Sequence, residues 1–420
     1  MRITLITVTL AVVALLFSSE GNWRIAIGPL HNIKLGYPFP DMFARLGVAE
    51  GVAHGVDVNH EQNPYSASPT LNNKPLYTVH TLAKLSIGND DVVIMGILFG
   101  ACFMAWNFWL LRPNRWFELI CMLLVVISPP SLLLIERAND DIIIYSFIMA
   151  VPLLLRTNRT FGKVLSWLAI SLLTPMKYYP AAAYALFLHR TRGLKEFLSY
   201  VGISILFGGT LLWLILDELK GVSERIPSPP ANCAFGGKLL LQSLEVEESM
   251  QSMLFAIGIL VIGLLVLLFV LNPKIQKPKA DPQNELYFLL GSSVLTFCFL
   301  LNGNWDYRLA FLIPTLPLTF ELLKNERQAI RLLASAYLIS MLITLWTEYL
   351  YFFNAMDFIN ERWVLTENSY KLTQRSKHIA SWLMITSGVL MATLTLKEDI
   401  KRLFSETTTN GSLFKKHIKS

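Results

Sequence analysis

The sequence predicts an all-α, polytopic transmembrane helical fold with about 12 spans, and three observations predict it. Hydrophobic residues make up 53% of the 420 and charged residues only 16%, where a soluble domain carries about 25% charged. Mean hydropathy is +0.47. Apolar runs close to the roughly 20 residues that cross a bilayer recur along the chain, and Lys and Arg gather in alternate segments between them. The same composition excludes a disordered chain, which lacks apolar surface. It also excludes a disulfide-stapled secreted chain: Cys102, Cys121 and Cys298 lie inside apolar runs and only Cys233 in a polar stretch. The net charge of +6 then reads as membrane topology, and no nucleic-acid partner is expected.

Taken in order, the spans fall near 3–18, 92–111, 117–135, 142–155, 163–174, 180–188, 197–216, 252–271, 286–301, 308–323, 329–353 and 379–396. Residues 1–18 share Arg2 and an apolar core with signal peptides. However, Ser18-Ser19-Glu20-Gly21-Asn22 is a poor cleavage site, so they are read as a span. The run 180–188 is short and starts at Pro180, as a half-span would. Counting it places more than half of the 36 Lys and Arg on one side, mostly in short loops such as Arg112 to Trp116 and His189 to Glu196. Those loops are where positive-inside bias is strongest, so that side is the cytoplasm. Both termini are then cytoplasmic in a cell inner (plasma) membrane. One transmembrane domain covers 1–396, with outer loops 19–91, 217–251 and 354–378, and a basic tail covers 397–420. The sequons at Asn158 and Asn410 fall on the cytoplasmic side and are not expected to be used.

The unusual chemistry sits on the outer face. From 41 to 54, Phe43, Leu46, Val48, Ala49 and Val52 share one helical face, which suits a helix lying in the interface. Asp41 opens it, either as an N-cap or as a general base at the membrane surface. Glu136-Arg137-Ala138-Asn139-Asp140-Asp141 packs four formal charges and Asn139 between two spans. Charges beside hydrocarbon are costly and often functional. The ordinary alternative is that Asn139 or Asp140 caps the next helix and Arg137 pairs with a neighbouring acid. Pro175-Met176-Lys177-Tyr178-Tyr179-Pro180 breaks a helix where a cavity-lining chain is tolerated. Lys177 there either meets a phosphate or snorkels at a helix end. In Asn302-Gly303-Asn304-Trp305-Asp306-Tyr307-Arg308, Arg308 runs against the charge bias. It either forks onto a phosphate or pairs locally with Asp306, leaving Trp305 and Tyr307 as interface anchors. There is no Walker motif, HExxH or GxGxxG after a strand, so energy from ATP at the inner face is not expected.

The order Pro40-Asp41, Asn63-Pro64-Tyr65, Glu136-Arg137-x-Asn139, Lys177-x-Tyr179-Pro180 and Asp306-Tyr307-Arg308 resembles glycosyltransferase family 87, polytopic enzymes of the GT-C superfamily. The resemblance implies transfer of a hexose or pentose from a polyprenyl-phosphate donor to a lipid or glycan acceptor hydroxyl at the outer face, within the membrane lipids, for cell-envelope synthesis. It assigns the acid of the first outer loop to Asp41, although Asp57, Asp90 and Asp91 share that loop. Such a reaction needs Asp41 as base and cations for the leaving phosphate, with Lys177, Arg308 and then Arg137 as candidates. Tyr65, Tyr77, Asn139, Asp140, Trp305, Asp306 and Tyr307 are candidates to hold sugar or acceptor. No cofactor and no metal are expected, because two cations can serve the phosphate, and attack opposite it inverts the anomeric centre. A transporter or lipid-linked sugar flippase is the competing class. It expects an inverted repeat and midplane charges. No convincing repeat is found. The topology is open to direct measurement: a reporter fused at residue 420 should be active in the cytoplasm, and activity only outside the cell overturns the twelve-span reading.

Overall fold

The computed structural model describes residues 1–19, 22, 39–58, 61–65, 76–157, 159–191, 193–214, 229, 234–273, 275–301, 303–359, 362–365 and 367–417. Asn158, Cys233, Asn302 and the Asn72-Asn73-Lys74-Pro75 stretch lie outside them. The architecture is all-α and polytopic. Among the described residues, every expected span falls largely on helix, and strand is confined to two short antiparallel pairs. Among the described residues, six helices are long and apolar enough to cross a membrane, and the bent pair Trp116–Val126 and Pro129–Arg137, taken as one span, makes a seventh. Shorter apolar helices occupy Arg2–Phe17 and Thr160–Leu173. The first of these packs into the bundle through Leu5, Thr9 and Leu16.

Proline decides where the remaining spans break. It lacks an N–H and drives the residue before it into extended backbone. Ser128 accordingly has ψ 151 ahead of Pro129, and the two halves meet at 44°. The Ser128 hydroxyl donates to Val125 O at 2.8 Å, satisfying a carbonyl freed by the break. Pro152 opens the helix Val151–Arg156 that follows Asp140–Ile148. Pro180 and Pro314 sit in the tighter 3-10 helices Tyr179–Ala185 and Asp306–Thr315, which run on into Leu186–Arg190 and Leu316–Leu323.

Helix Pro282–Leu301 lies at the centre, with 67% of its apolar window buried; in Glu248–Leu271 the share is 6%. A helix that exposes apolar side chains all round belongs in lipid. The central helix packs on both 3-10 segments. At its closest approach Gly291 faces Phe311 O, which would stand 2.4 Å from an added Cβ.

Ionic groups gather in two layers. At one end of the long helix Glu367–His417, Lys377 pairs with Asp306. Twenty-two residues further on, about 33 Å at 1.5 Å per residue, Asp399 accepts from His189 at 2.6 Å. That spacing matches the hydrocarbon thickness of a bilayer. Around Asp399, His189 also meets Glu285 at 3.3 Å and Lys277 meets Glu285 at 2.9 Å. Burial pushes the His189 pKa down, but hydrogen bonds with Asp399 and Glu285 outweigh it and hold it above the usual value. In the other short basic loops, Lys324 pairs with Glu118 at 2.6 Å and Lys163 with Glu196 at 2.7 Å. Lys397 closes the end of Glu248–Leu271 by donating to the carbonyls of Phe269, Asn272 and Ile275.

At the opposite layer, helix Pro40–Ala53 packs against Leu76–Lys84 and Val92–Leu110. Leu46, Val48 and Ala49 are buried as the periodicity predicts, and so is Arg45. The segment 354–378, expected as a loop, contains regular structure. Its backbone forms a hairpin, Met356–Ile359 with Arg362–Leu365, and the final helix begins at Glu367 and runs through the boundary drawn at 397. Gly291→Ala should force the central helix off the 3-10 segment at a cost of about 1–3 kcal/mol, the usual range for overpacking. A thermal melt in detergent that matches the native chain would show that this contact is not tight.

Candidate active site

Helix Pro40–Ala53 starts from an unusual residue. Phe39 precedes it at φ 58, the left-handed region, where a bulky side chain is strained. The Phe39 ring fills the space over Gly96, where an added Cβ would stand 2.3 Å from it. Pro40 takes the first helical position and Asp41 the second, with no side-chain cap. Asp41 is therefore not the N-cap. Its carboxylate turns sideways instead. Arg137 Nε donates to Asp41 Oδ2 at 2.9 Å and Arg137 Nη2 donates to Oδ1, a two-point fork. Asn139 Nδ2 donates to the same Oδ2.

Asn139 is the junction. Its Oδ1 accepts from Asp141 N at 3.2 Å, which caps helix Asp140–Ile148. The same oxygen accepts from Lys177 Nζ at 2.7 Å. The capping expectation for Asn139 thus holds, and the same side chain links the carboxylate of Asp41 to the ammonium of Lys177. Lys177 also donates to Asp141, so it turns inward rather than snorkelling. Asp141 has no exposed surface and is shared with Arg308, whose Nε lies 3.5 Å from Oδ1. Two cations therefore meet one carboxylate. The Arg308 guanidinium lies over the Tyr179 and Tyr178 rings, 5.1 and 5.6 Å from their centroids, and donates to the Tyr178 hydroxyl at 3.2 Å.

Asp306 does not pair with Arg308. It is held by Lys377, and both side chains are 2% exposed. Arg137 pairs across 96 residues with Asp41 rather than with an acid of its own segment. Asp140 is buried against Arg45, one turn along the helix from Asp41, at 2.5 Å. Trp305 and Tyr307 stack with ring centroids 6.1 Å apart, and Lys177 Nζ lies 5.6 Å from the Tyr307 centroid. The strand pair Asn304–Trp305 with Ala234–Phe235 fixes that turn.

Tyr65 is not brought into this cluster. It stacks on His54 at 4.5 Å, at the far end of the helix, about 20 Å along from Asp41 at 1.5 Å per residue. The Asn63-Pro64-Tyr65 motif serves that end. Asn63 Nδ2 donates to Gly47 O at 2.9 Å, and Gly51 leaves room for its amide. Asp57 and Asp90 are exposed, and Asp91 accepts from Gly88 N within its own turn. Of the loop-one carboxylates considered, Asp41 alone is placed with the cations. Tyr77 lies in Leu76–Lys84, but its side chain is outside the described residues. Asp141, Lys377 and Arg45 were not picked out from sequence. Asp141 stood in the quoted charged segment, and its adjacency to the helix start was the available signal.

No protein-family profile matches the chain, and no curated protein matches it. Among solved structures, it is similar to a crystal structure of ArnT from Cupriavidus metallidurans in the apo state, at 13% identity and a TM-score of 0.36. That similarity covers 94% of this chain and 77% of the other.

The Asp306–Lys377 pair is a structural tie between the turn at 303–306 and the last helix. Removing one partner of a buried ion pair strands the other charge and costs about 3–5 kcal/mol. Lys377→Met should therefore destabilise strongly, and adding Asp306→Leu should restore most of the loss. A double variant no more stable than Lys377→Met, read by thermal melting, would contradict this.

Proposed function

We propose that the chain is a membrane glycosyltransferase of the GT-C type. It moves a sugar, a hexose or pentose, from a polyprenyl-phosphate donor to an acceptor hydroxyl at the outer face of the inner membrane. The observation that carries this reading is the Asn139 junction. One side chain joins a carboxylate on an interfacial helix, Asp41, to an ammonium, Lys177, which shares Asp141 with Arg308. Four separate segments supply these groups, and their motif order is the one that resembles glycosyltransferase family 87.

The chemistry divides among them. The acceptor oxygen attacks the anomeric carbon from the face opposite the phosphate, and its proton passes to Asp41. The bond from that carbon to the phosphate oxygen breaks, and its electron pair leaves with the polyprenyl phosphate. Lys177 and Arg308 stabilise the charge that develops there, with Arg137 beside them. Two cations on one carboxylate leave positive charge for an incoming anion. Trp305 and Tyr307, stacked beside Lys177, offer flat surface to a sugar ring. The lipid tail and the acceptor approach through the bilayer and its outer surface, so the partners are lipids or glycans. A transporter or flippase moves charge through the midplane, whereas the ion pairs described here gather at the two ends of the bundle.

Asp41→Asn separates base from scaffold. The amide keeps the shape but takes no proton, so turnover should fall about 100- to 10,000-fold while the fold persists. Native rates of sugar transfer from a well-folded Asp41→Asn protein would remove Asp41 from the mechanism.

A further inference from the structure

Among the described residues, three of the ion pairs at this end of the bundle differ in how far they can be reached. Arg45 and Asp140 are 3% and 5% exposed, and Lys377 and Asp306 are each 2% exposed. Arg137 and Asp41 are each 14% exposed. The first two are ties inside the protein. The third stands where a ligand can touch it, and it pairs the proposed base with a cation suited to phosphate.

That pairing opposes catalysis as it stands. A base offers an electron pair to the incoming hydroxyl, yet both Asp41 oxygens accept from Arg137. A guanidinium on a carboxylate stabilises its charge and weakens its pull on a proton. We infer that Arg137 is an exchange residue: it forks onto Asp41 in this structure and transfers to the donor's phosphate as that group enters, releasing Asp41 to take the acceptor proton. The inference rests on the glycosyltransferase reading of the site.

Geometry favours the exchange. Arg137 is the last residue of its helix, and the chain turns at Ala138 through φ 44, so no further helical turn packs over its side chain. Its planar fork of donors fits two phosphate oxygens as well as two carboxylate oxygens. Charge stays balanced, because one anionic group leaves the guanidinium as another arrives, and no cation is stranded at the membrane face. Asn139 still donates to Asp41 Oδ2 and keeps the freed carboxylate oriented. The base is thereby active only while a phosphate-bearing donor is in place, which protects the site from idle proton transfer.

The test is a binding measurement that needs no knowledge of the sugar. Farnesyl phosphate, with farnesol as the control lacking phosphate, is titrated into the full chain in lipid nanodiscs and read by native mass spectrometry. Asp41→Asn removes the carboxylate that competes for Arg137. It should bind farnesyl phosphate about ten-fold tighter than the native chain, the worth of roughly one charge-assisted hydrogen bond. Arg137→Gln should bind about ten-fold weaker, and in the Asp41→Asn background it should erase the gain. An Asp41→Asn chain that binds no tighter than native overturns the exchange while leaving the donor reading intact. If Asp41→Asn does not fold, Asp41→Ser makes the same comparison, and unchanged affinity in Arg137→Gln overturns the exchange by itself. A native chain that binds farnesyl phosphate no better than farnesol removes the donor reading, and the exchange falls with it.

Discussion

Asp141 is a carboxylate with no exposed surface, set beside hydrocarbon at the start of a helix. A charge in that position is tolerated only with cations and donors close by. The helix start supplies part of the compensation, and Lys177 and Arg308 supply the rest. These cations come from two other segments, each freed from regular α-helix by proline. One buried charge therefore draws three chain segments to a point. Asn139, whose oxygen caps the Asp141 helix, extends the cluster to helix Pro40–Ala53 through its amide.

The helix breaks are what make such a meeting possible. A continuous span carries its polar backbone groups internally and delivers side chains only along its faces. The 3-10 segments at 179–185 and 306–315 instead bring consecutive polar and aromatic residues to the bundle end. Both pack on the central helix Pro282–Leu301, and Gly291 allows the closer approach. The result is a packed floor below the helix Pro40–Ala53.

That upper helix is fixed at both ends by unlike means. Phe39, in a left-handed conformation, anchors one end in the space over Gly96, and Asn63 seats the other against Gly51. Asp41 is held between, one turn from Arg45, so that two successive turns each meet an acid or base from the Glu136–Asp141 segment. The base proposed at Asp41 would need this kind of positional control, since small displacements of reacting groups cost large factors in rate.

By itself the sequence determined the fold class and where the apolar helices fall, because hydropathy acts locally along the chain and needs no partner. It also marked out short charged segments, since runs such as 136–141 and 302–308 are anomalous beside apolar spans wherever they fold. The helix at Pro40–Ala53 was legible from its apolar periodicity. What only tertiary structure decided is who pairs with whom. Asp306 reaches Lys377 across 71 positions rather than Arg308 two residues away, and Asp41 reaches Arg137 across 96. Tyr65 was grouped with the site by motif order, yet it lies at the opposite end of a straight helix. Buried charges select partners by distance and direction in space, and those are set by how helices cross and where prolines bend them. Asp141 outranks its neighbour Asp140 in the cation cluster for the same reason: adjacent residues of one helix point about 100° apart, so only packing decides which of them faces Lys177 and Arg308.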